Sequence, residues 1–272
     1  SSISKATVLR FLDEMFVSMN LSPRTVLSYR NALSLPLQVA FGISTSSNEF
    51  SLLARAHFLA RPPPRRIVPQ WNLDSVLDFF SSSRFIGSPS DIDLLKKTLF
   101  LTALATGNRV SELAAVTRHN ILVTQTCATL PVRPGFLFKN ERLGRAPPNI
   151  RVQSLHKDGR QDPLCPLHFL KDYLKRTEHI AKGESIFVNS KTGAPLRSSV
   201  ISKLLASIIN EACPDTFPHG HDVRKVAASL AWVRGVPPEE IIKTAFWSAS
   251  SVFVNRYLSK IDNKTRSCRA LV

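Results

Sequence analysis

The residues best suited to chemistry in this sequence are two arginines and a histidine at the starts of helical segments. Arg109 opens the apolar segment RVSELAAV, while His221 and Arg224 are three positions apart at the start of another segment and so share one helix face. Guanidinium groups and free backbone donors at helix N-termini both bind the oxygens of a tetrahedral anion. The pattern therefore predicts a phosphate site.

Two aromatic residues follow and could complete such a site. Trp247 follows Arg224 by about two dozen residues, and Tyr257 lies further along the chain. Taken singly, each residue has a plainer explanation. Tyr257 and Trp247 could be packing residues and His221 a helix cap. Arg109 could pair with Glu112 in an exposed ion pair that contributes little.

Several other kinds of site are disfavoured by the sequence. Only 10 glycines occur, and none forms a phosphate-binding loop or a dinucleotide fingerprint. Asp91 and Asp93 could be half of a two-metal site, but they follow Ser90, where a helix cap and first turn favour negative charge. We interpret them as helix-start residues. The 4 cysteines lack the CxxC spacing of a zinc site, which indicates a reducing compartment.

The order of the candidate residues resembles that of the tyrosine recombinases, the phage-integrase-like DNA strand-transfer enzymes. Thr106–Leu113 matches the family's Thr-Gly-x-Arg-x-Ser-Glu-Leu-like helix, and His221–Arg224 matches its His-x-x-Arg motif. Trp247 stands where the family has His or Trp, and Tyr257 stands where it has the nucleophile. The interval between these two is one residue longer than in the commonest bacterial and phage members.

The family also carries a catalytic lysine on a β-hairpin between its two arginines. The best match is Lys139 in GFLFKNERLG, and Lys157 and Lys191 compete with it for this role. Within the family, the FLFKNE segment, the Phe-Trp pair and the compact N-terminal region are most similar to recombinases of eukaryotic DIRS-like or Ngaro-like retroelements.

The resemblance implies a role for each residue. Arg109 and Arg224 would bind the non-bridging oxygens of the phosphate, and His221 would act as the acid/base partner. Lys139 would protonate the departing 5′ oxygen, and Tyr257 would attack. Trp247 would pack against or hydrogen-bond to the phosphate pocket, with Glu112 supporting the pocket from behind.

The activity so implied is that of a site-specific recombinase or integrase of a mobile element. It would cut and rejoin DNA through a 3′-phosphotyrosyl intermediate and a Holliday junction, with no metal, ATP or other cofactor. The implied partners are double-stranded DNA and further copies of the chain, as a homodimer on one site and a homotetramer in the synaptic complex. The retroelement resemblance places the protein in the nucleus; otherwise it would be intracellular, on DNA.

Composition independently favours a polyanionic partner. The 272 residues include 36 Lys and Arg against 20 Asp and Glu, giving a formal net charge of +16. Nucleic acid is the foremost partner of so basic a chain, and an anionic membrane surface comes second. No stretch approaches the ~18 continuous apolar residues of a membrane span, and no basic amphipathic helix with a broad apolar face is evident.

The chain divides at a proline-rich segment. Residues 1–60 are expected to form a helical DNA-clamping domain, 61–70 a stiff linker beginning RPPPRR, 71–260 the catalytic domain and 261–272 a basic tail. The whole would be a two-domain, C-shaped clamp. Because the sequence lacks an initiating Met, we expect a fragment truncated at its N-terminus. The linker arginines expected to contact the DNA backbone are Arg61, Arg65 and Arg66.

The fold class predicted is mainly α with a small antiparallel β-sheet. Short β-prone runs (ILV, ATLPV, GFLF and IRVQSL) fall between residues 121 and 155, with a hairpin turn near 140–144. Helices are predicted by apolar spacing and capping residues elsewhere. Those predicted in the catalytic domain are 91–104, one opening at Arg109, 167–176, 198–211, 223–234 and 238–244.

Two rival functions remain open at this point. A type IB topoisomerase shares the nucleophile and the arginines, but would relax supercoiled DNA as a monomer. A non-catalytic DNA-binding derivative of a mobile element would bind DNA without turnover.

Overall fold

The computed structural model describes residues 3–62, 71–144, 147, 149–155 and 162–246. The chain separates into two compact units, Ser1–Ile67 and Val68–Val272. Within the described ranges, no helix combines the length and apolar character needed to span a bilayer. The mainly helical fold with a small antiparallel sheet is confirmed.

The first unit consists of three helices, α1 (Lys5–Val17), α2 (Pro23–Phe41) and α3 (Asn48–Ala60). The hydroxyl of Ser22 accepts a hydrogen bond from the backbone of Thr25, and Pro23 occupies the first turn, as the Ser-Pro signal predicts. Apolar residues at helical spacing form one core. Its buried members are Val8, Leu12, Met15, Phe16, Val26, Leu37, Ile43 and Phe50.

The second unit contains seven further α-helices and three strands among its described residues. The helices are α4 (Leu73–Phe80), α5 (Asp91–Thr106), α6 (Val110–Leu113), α7 (Pro166–Thr177), α8 (Ser198–Ala212), α9 (Asp222–Val233) and α10 (Pro238–Thr244). The strands β1 (Leu122–Val123), β2 (Cys127–Leu130) and β3 (Ile150–Gln153) form an antiparallel sheet in that order. In its register Leu122 pairs with Thr129, and Cys127 with Gln153.

Helix α5 is the central element of this unit. It packs against α7, α8, α9 and β3, and it is buried on almost every side because its sequence is apolar all round. Ser90 caps its start, and Asp93 pairs with Arg84 at 2.6 Å. The interpretation of Asp91 and Asp93 as first-turn residues is confirmed. The helix ends at Gly107, whose φ of 61° lies in the left-handed region.

Two local predictions need correction, and one helix was missed. The helix opening at Arg109 ends at Leu113 rather than continuing through Val116, because Ala115 and Thr117 bond to the chain that follows β2. The GFLF run is not a strand, since turns flank it and its Phe138 is buried in the core instead. Helix α4 was not predicted, although its buried apolar residues fall at helical spacing behind the cap Asn72.

Candidate active site

The turn between α5 and α6 presents Arg109 to a buried carboxylate. Arg109 is the N-cap of α6; its backbone N–H donates to Oε2 of Glu112 at 2.8 Å, and its Nη1 donates to Oε1 at 2.6 Å. Asn108 donates its side-chain amide to the same Oε2 at 2.9 Å. Glu112 is only 2% exposed. The Arg109–Glu112 pair is therefore buried rather than the exposed pair considered from sequence, and it fixes both the backbone and the guanidinium of Arg109.

Arg224 joins three separate parts of the unit. It lies in the first turn of α9 and is 2% exposed. Its Nη1 donates to the carbonyl of Gly107 at 2.5 Å, and its Nη2 donates to the carbonyl of Ala245 at 2.6 Å. The same Nη1 lies 3.8 Å from Oε2 of Glu112. The structure thus brings Arg109 and Arg224, 115 positions apart in the chain, to the two sides of one carboxylate.

His221 stands at the N-cap of α9 and keeps a solvent-exposed face. Burial of the remaining imidazole lowers its pKa below the ordinary 6.5, and the positive charges of Arg224 and Arg109 lower that pKa further. The carboxylates of Asp222 and Glu112 act in the opposite direction. His221 is therefore neutral at neutral pH and able to accept a proton. His221 precedes Arg224 by three positions at the start of the same helix.

A close backbone contact places the His221 turn against α8. Gly220 is buried, and a Cβ at this position would lie 2.7 Å from both the Cα and the carbonyl oxygen of Ser202. Real Cβ atoms do not approach backbone atoms so closely. Glycine at 220 is therefore required for the turn that carries His221 to pack against α8.

Lys139 lies exposed in a turn within the long connection between β2 and β3. Glu141 closes this turn: its carboxylate accepts from the backbone of Phe138 at 2.9 Å, and its own N–H donates to the Phe138 carbonyl at 2.9 Å. Asn140 then donates its side-chain amide to the carbonyl of Phe246 at 2.6 Å. Since Arg224 binds the preceding carbonyl, that of Ala245, the lysine turn and the arginine pocket meet on neighbouring peptide groups.

The rival lysines are placed differently. Lys191 is exposed in a turn between α7 and α8, where its backbone N–H donates to the side chain of Asn189. Lys157 lies outside the described residues. The other predicted residues outside them are Trp247, Tyr257, Arg65, Arg66 and the tail 261–272.

The remaining predicted DNA-contact residue, Arg61, is the C-cap of α3. Its guanidinium donates to the carbonyl of Leu21 at 3.2 Å and lies 4.4 Å from the centre of the Phe16 ring. These contacts hold the side chain against its own helical unit. Contact between Arg61 and a DNA phosphate stays a prediction.

A cavity of about 960 Å³ adjoins the arginine pocket. The end of α5, strand β3 and helices α9 and α10 enclose it, with Thr106, Asn108 and Phe246 on the side of the pocket. Arg234 and Lys243 contribute positive charge to its lining. Within the described ranges, no three potential metal-ligating side chains come together.

Sequence reasoning did not single out Asn108, Asn140 or Gly220. Asn108 lies inside the Thr106–Leu113 motif and Asn140 directly follows Lys139, so both positions were adjacent to a signal. Their partners could not be identified from spacing, because Asn140 bonds to a residue 106 positions away.

Comparison with known proteins gives a consistent result. Residues 74–264 match the model of the Phage integrase family. The Tn1549 transposon integrase in complex with transposon right end DNA has a TM-score of 0.62 at 12% identity, over 96% of this chain and 82% of the other. The XerH site-specific recombinase bound to a palindromic difH substrate has a TM-score of 0.60 at 17% identity, over 94% and 69%.

A lambda integrase (75–356) dimer bound to a COC′ core site has a TM-score of 0.53 at 15% identity, over 97% of this chain and 82% of the other. No curated protein matches the sequence. The structural likenesses show a shared fold. The family model spans well over half of the chain, and the matched range includes Arg109, His221 and Arg224. This protein therefore belongs to the phage integrase family.

Proposed function

We propose that this protein is a site-specific tyrosine recombinase that cuts and rejoins DNA strands through a 3′-phosphotyrosyl intermediate. The observation that carries the proposal is the meeting of Arg109 and Arg224 around the buried carboxylate of Glu112, beside a neutral His221. Two guanidinium groups held in place before a phosphate arrives stabilise the negative charge that grows on its oxygens during attack. The net charge of +16 suits DNA as the substrate.

The cleavage step uses five side chains. Tyr257 Oη attacks the phosphorus while its proton passes to His221, so that an O–P bond forms. The bond from phosphorus to the 5′ oxygen breaks, and that oxygen takes a proton from Lys139. Arg109 and Arg224 bind the two non-bridging oxygens throughout. Since the phosphotyrosyl bond keeps the energy of the phosphodiester, neither ATP nor a metal ion is needed.

The other two tyrosines are poorly suited to the nucleophilic role. The sequence has three tyrosines. Tyr173 is 1% exposed, and its hydroxyl both donates to and accepts from the backbone of Val188. Burial raises its pKa to about 12, which disfavours the phenolate further. Tyr29 belongs to the first unit, whereas Arg109 and Arg224 belong to the second. These facts support Tyr257, and Trp247 would contact the phosphate through its indole N–H.

Assembly and biological setting form part of the same proposal. A lambda integrase tetramer bound to a Holliday junction shares this fold, with a TM-score of 0.52 at 14% identity. We infer that this chain binds one site as a homodimer and forms a homotetramer on a Holliday junction, with Arg61, Arg65 and Arg66 near the DNA backbone in a C-shaped clamp. The element served is a mobile element of the DIRS-like or Ngaro-like kind, and the reaction takes place in the nucleus.

A trapping experiment tests the activity. The protein is incubated with a library of nicked duplexes that lose the 5′-hydroxyl fragment on cleavage, and covalent adducts are isolated under denaturing conditions and sequenced. We expect adducts with wild type in the presence of EDTA, none with Tyr257→Phe, and undiminished adducts with the control Tyr29→Phe. Adducts that persist in Tyr257→Phe would contradict the assignment of the nucleophile.

The same material separates the rival functions. Relaxation of supercoiled plasmid by the monomer, without a preferred sequence among the adducts, would identify a type IB topoisomerase instead. Binding of the library with no adduct at all would identify a non-catalytic DNA-binding protein.

A further inference from the structure

The residues on both sides of Lys139 contact the same distant residue, Phe246. The side-chain amide of Asn140 donates to the Phe246 carbonyl at 2.6 Å. The ring of Phe138 meets the ring of Phe246 edge-on, with centroids 6.0 Å apart and planes at 84°. The lysine turn is thus attached by one polar and one aromatic contact to the residue that directly precedes Trp247.

The backbone of Phe246 is itself unusual. Its φ is 52°, in the left-handed region that residues with a bulky side chain rarely adopt, and the residue is 5% exposed. Such a conformation costs free energy and persists only where surrounding contacts impose it. The hydrogen bond from Asn140 and the packing of Phe138 are two such contacts. The contacts that join the lysine turn to Phe246 therefore help to impose the backbone conformation of Phe246.

The attachment also determines where the lysine lies relative to the arginines. Arg224 binds the carbonyl of Ala245 at 2.6 Å, and Asn140 binds the next carbonyl along the chain. The hydrogen bonds from Glu141 close the lysine turn upon itself, but they do not connect it to the pocket. Lys139 has a long, exposed side chain, so its reach is set by the position of its own backbone.

We propose that Asn140 is a positioning residue that holds Lys139 where its ammonium group can protonate the 5′ leaving oxygen. The inference rests on the proposed function, in which Lys139 is the proton donor that Asn140 positions. A misplacement of about 1 Å in such a donor slows a reaction by up to about 100-fold. Loss of the Asn140 amide should therefore slow strand cleavage and leave DNA binding intact.

The test compares two leaving groups. Asn140→Asp keeps the shape of the side chain but replaces its donor with an acceptor that repels the Phe246 carbonyl. Each protein is mixed in excess with a nicked duplex carrying either the normal 5′ oxygen or a 5′-bridging sulfur at the cleavage position. A thiolate, whose conjugate acid has a pKa of about 8.5, leaves without being protonated, so the sulfur substrate needs no lysine.

We expect Asn140→Asp to cleave the oxygen substrate at least about 10-fold more slowly than wild type, the effect of one lost hydrogen bond or more. On the sulfur substrate it should lie within about 2-fold of wild type, since the proton donor is no longer required. The matched control is Asn210→Asp, which adds the same charge at an exposed position near the end of α8. It should match wild type on both substrates.

A double variant provides the second measurement. Lys139→Ala combined with Asn140→Asp should be no slower on the oxygen substrate than Lys139→Ala alone, because the two residues act in one step. If Asn140→Asp does not fold, as judged by its thermal unfolding, Asn140→Ala carries the same expectations without the added charge.

Three results would overturn the inference. The first is an unchanged rate of Asn140→Asp on the oxygen substrate, and the second is an equal slowing of this variant on both substrates. The third is a double variant whose fold loss in rate equals the product of the losses in the two single variants. Wild type that forms no adduct on either substrate would instead contradict the proposed function itself, and with it the role of Lys139.

Discussion

Arg224 donates a hydrogen bond to the carbonyl oxygen of Gly107, a residue 117 positions away, at a distance of 2.5 Å. Gly107 ends α5 and begins the turn that presents Arg109, so Arg224 fixes the origin of that turn from α9. A second bond from the same guanidinium, to Ala245, fixes the end of α10. Arg224 therefore holds together the elements of the site as well as serving, in the proposed function, as a phosphate ligand.

Arg224→Lys should destabilise the second unit although it conserves the charge. A lysine ammonium is a point charge and cannot span two carbonyls as the planar guanidinium does. We expect the free energy of unfolding to fall by about 2–4 kcal/mol, the loss of two charged hydrogen bonds partly compensated by one new bond. Urea denaturation followed by tryptophan fluorescence measures this, since all three tryptophans lie in the unit Val68–Val272.

The control for that measurement is Arg197→Lys, at an exposed position at the start of α8. Its urea midpoint should stay within error of wild type. An unchanged midpoint in Arg224→Lys would show that the two carbonyl contacts contribute nothing to stability.

Gly220→Ala should impair the site through the backbone. The added Cβ would lie 2.7 Å from two backbone atoms of Ser202, so the turn carrying His221 must shift away from α8. We expect adduct formation to slow by about 10- to 100-fold with DNA affinity unchanged. The effect should persist in a Ser202→Ala background, because removing the hydroxyl, which lies 2.8 Å from the added Cβ, leaves the two backbone atoms at 2.7 Å. Recovery in that background would assign the clash to the side chain.

Helix positions in this protein follow from signals close together in the chain. Ser22-Pro23 and Ser90 with Asp93 mark helix starts, and Gly107 marks a helix end, all as capping rules predict. The GFLF run was wrongly predicted to be a strand because its conformation depends on a residue that is distant in the chain. Its conformation is set by a contact of Phe138 with Phe246, which no local pattern reveals.

The same distinction applies to the site. The motifs around Arg109 and His221 could be recognised because each is contiguous in the chain. That Glu112 lies within reach of both Arg109 and Arg224, and that Asn140 attaches the lysine turn to Phe246, depend on how α5, α9 and α10 pack. Contacts of this kind follow from the tertiary structure and could not be read from residue spacing.

The titration of His221 predicts the acid limb of the cleavage rate. Burial and the two arginines lower the pKa of His221 below 6.5. At pH 7 and above the imidazole is therefore neutral and can accept the Tyr257 proton. The rate should therefore not depend on this group at pH 7 and above, and should fall only at a pH below the ordinary histidine value of 6.5. Single-turnover cleavage across pH 5–8 measures it, with about a tenfold loss per pH unit at the acid end.

His221→Gln tests whether that limb belongs to the histidine. The variant should cleave slowly and without the acid limb, since glutamine does not titrate. An acid limb of the same midpoint in His221→Gln would assign the titration to another group.

Lys97 should make the stability of the second unit rise with pH. This lysine is completely buried in α5; its ammonium donates to the carbonyls of Phe80 and Phe85 at 2.8 and 3.2 Å and lies 4.0 Å from the centre of the Phe169 ring. Burial lowers its pKa to about 8 from 10.5, against a smaller opposing effect of Asp162. Between these two values the unfolded chain binds the proton and the folded chain does not, so folding becomes more favourable as pH rises.

Lys97→Met isolates this contribution because it removes the titrating group while keeping an unbranched side chain of similar length. Wild type should gain stability relative to Lys97→Met between pH 7.5 and 10.5, as measured by urea midpoints at matched ionic strength. Below pH 7.5 the difference between the two should be constant, since folded and unfolded chains are then both protonated. A difference that stays constant across the whole range would show that Lys97 keeps an ordinary pKa despite its burial.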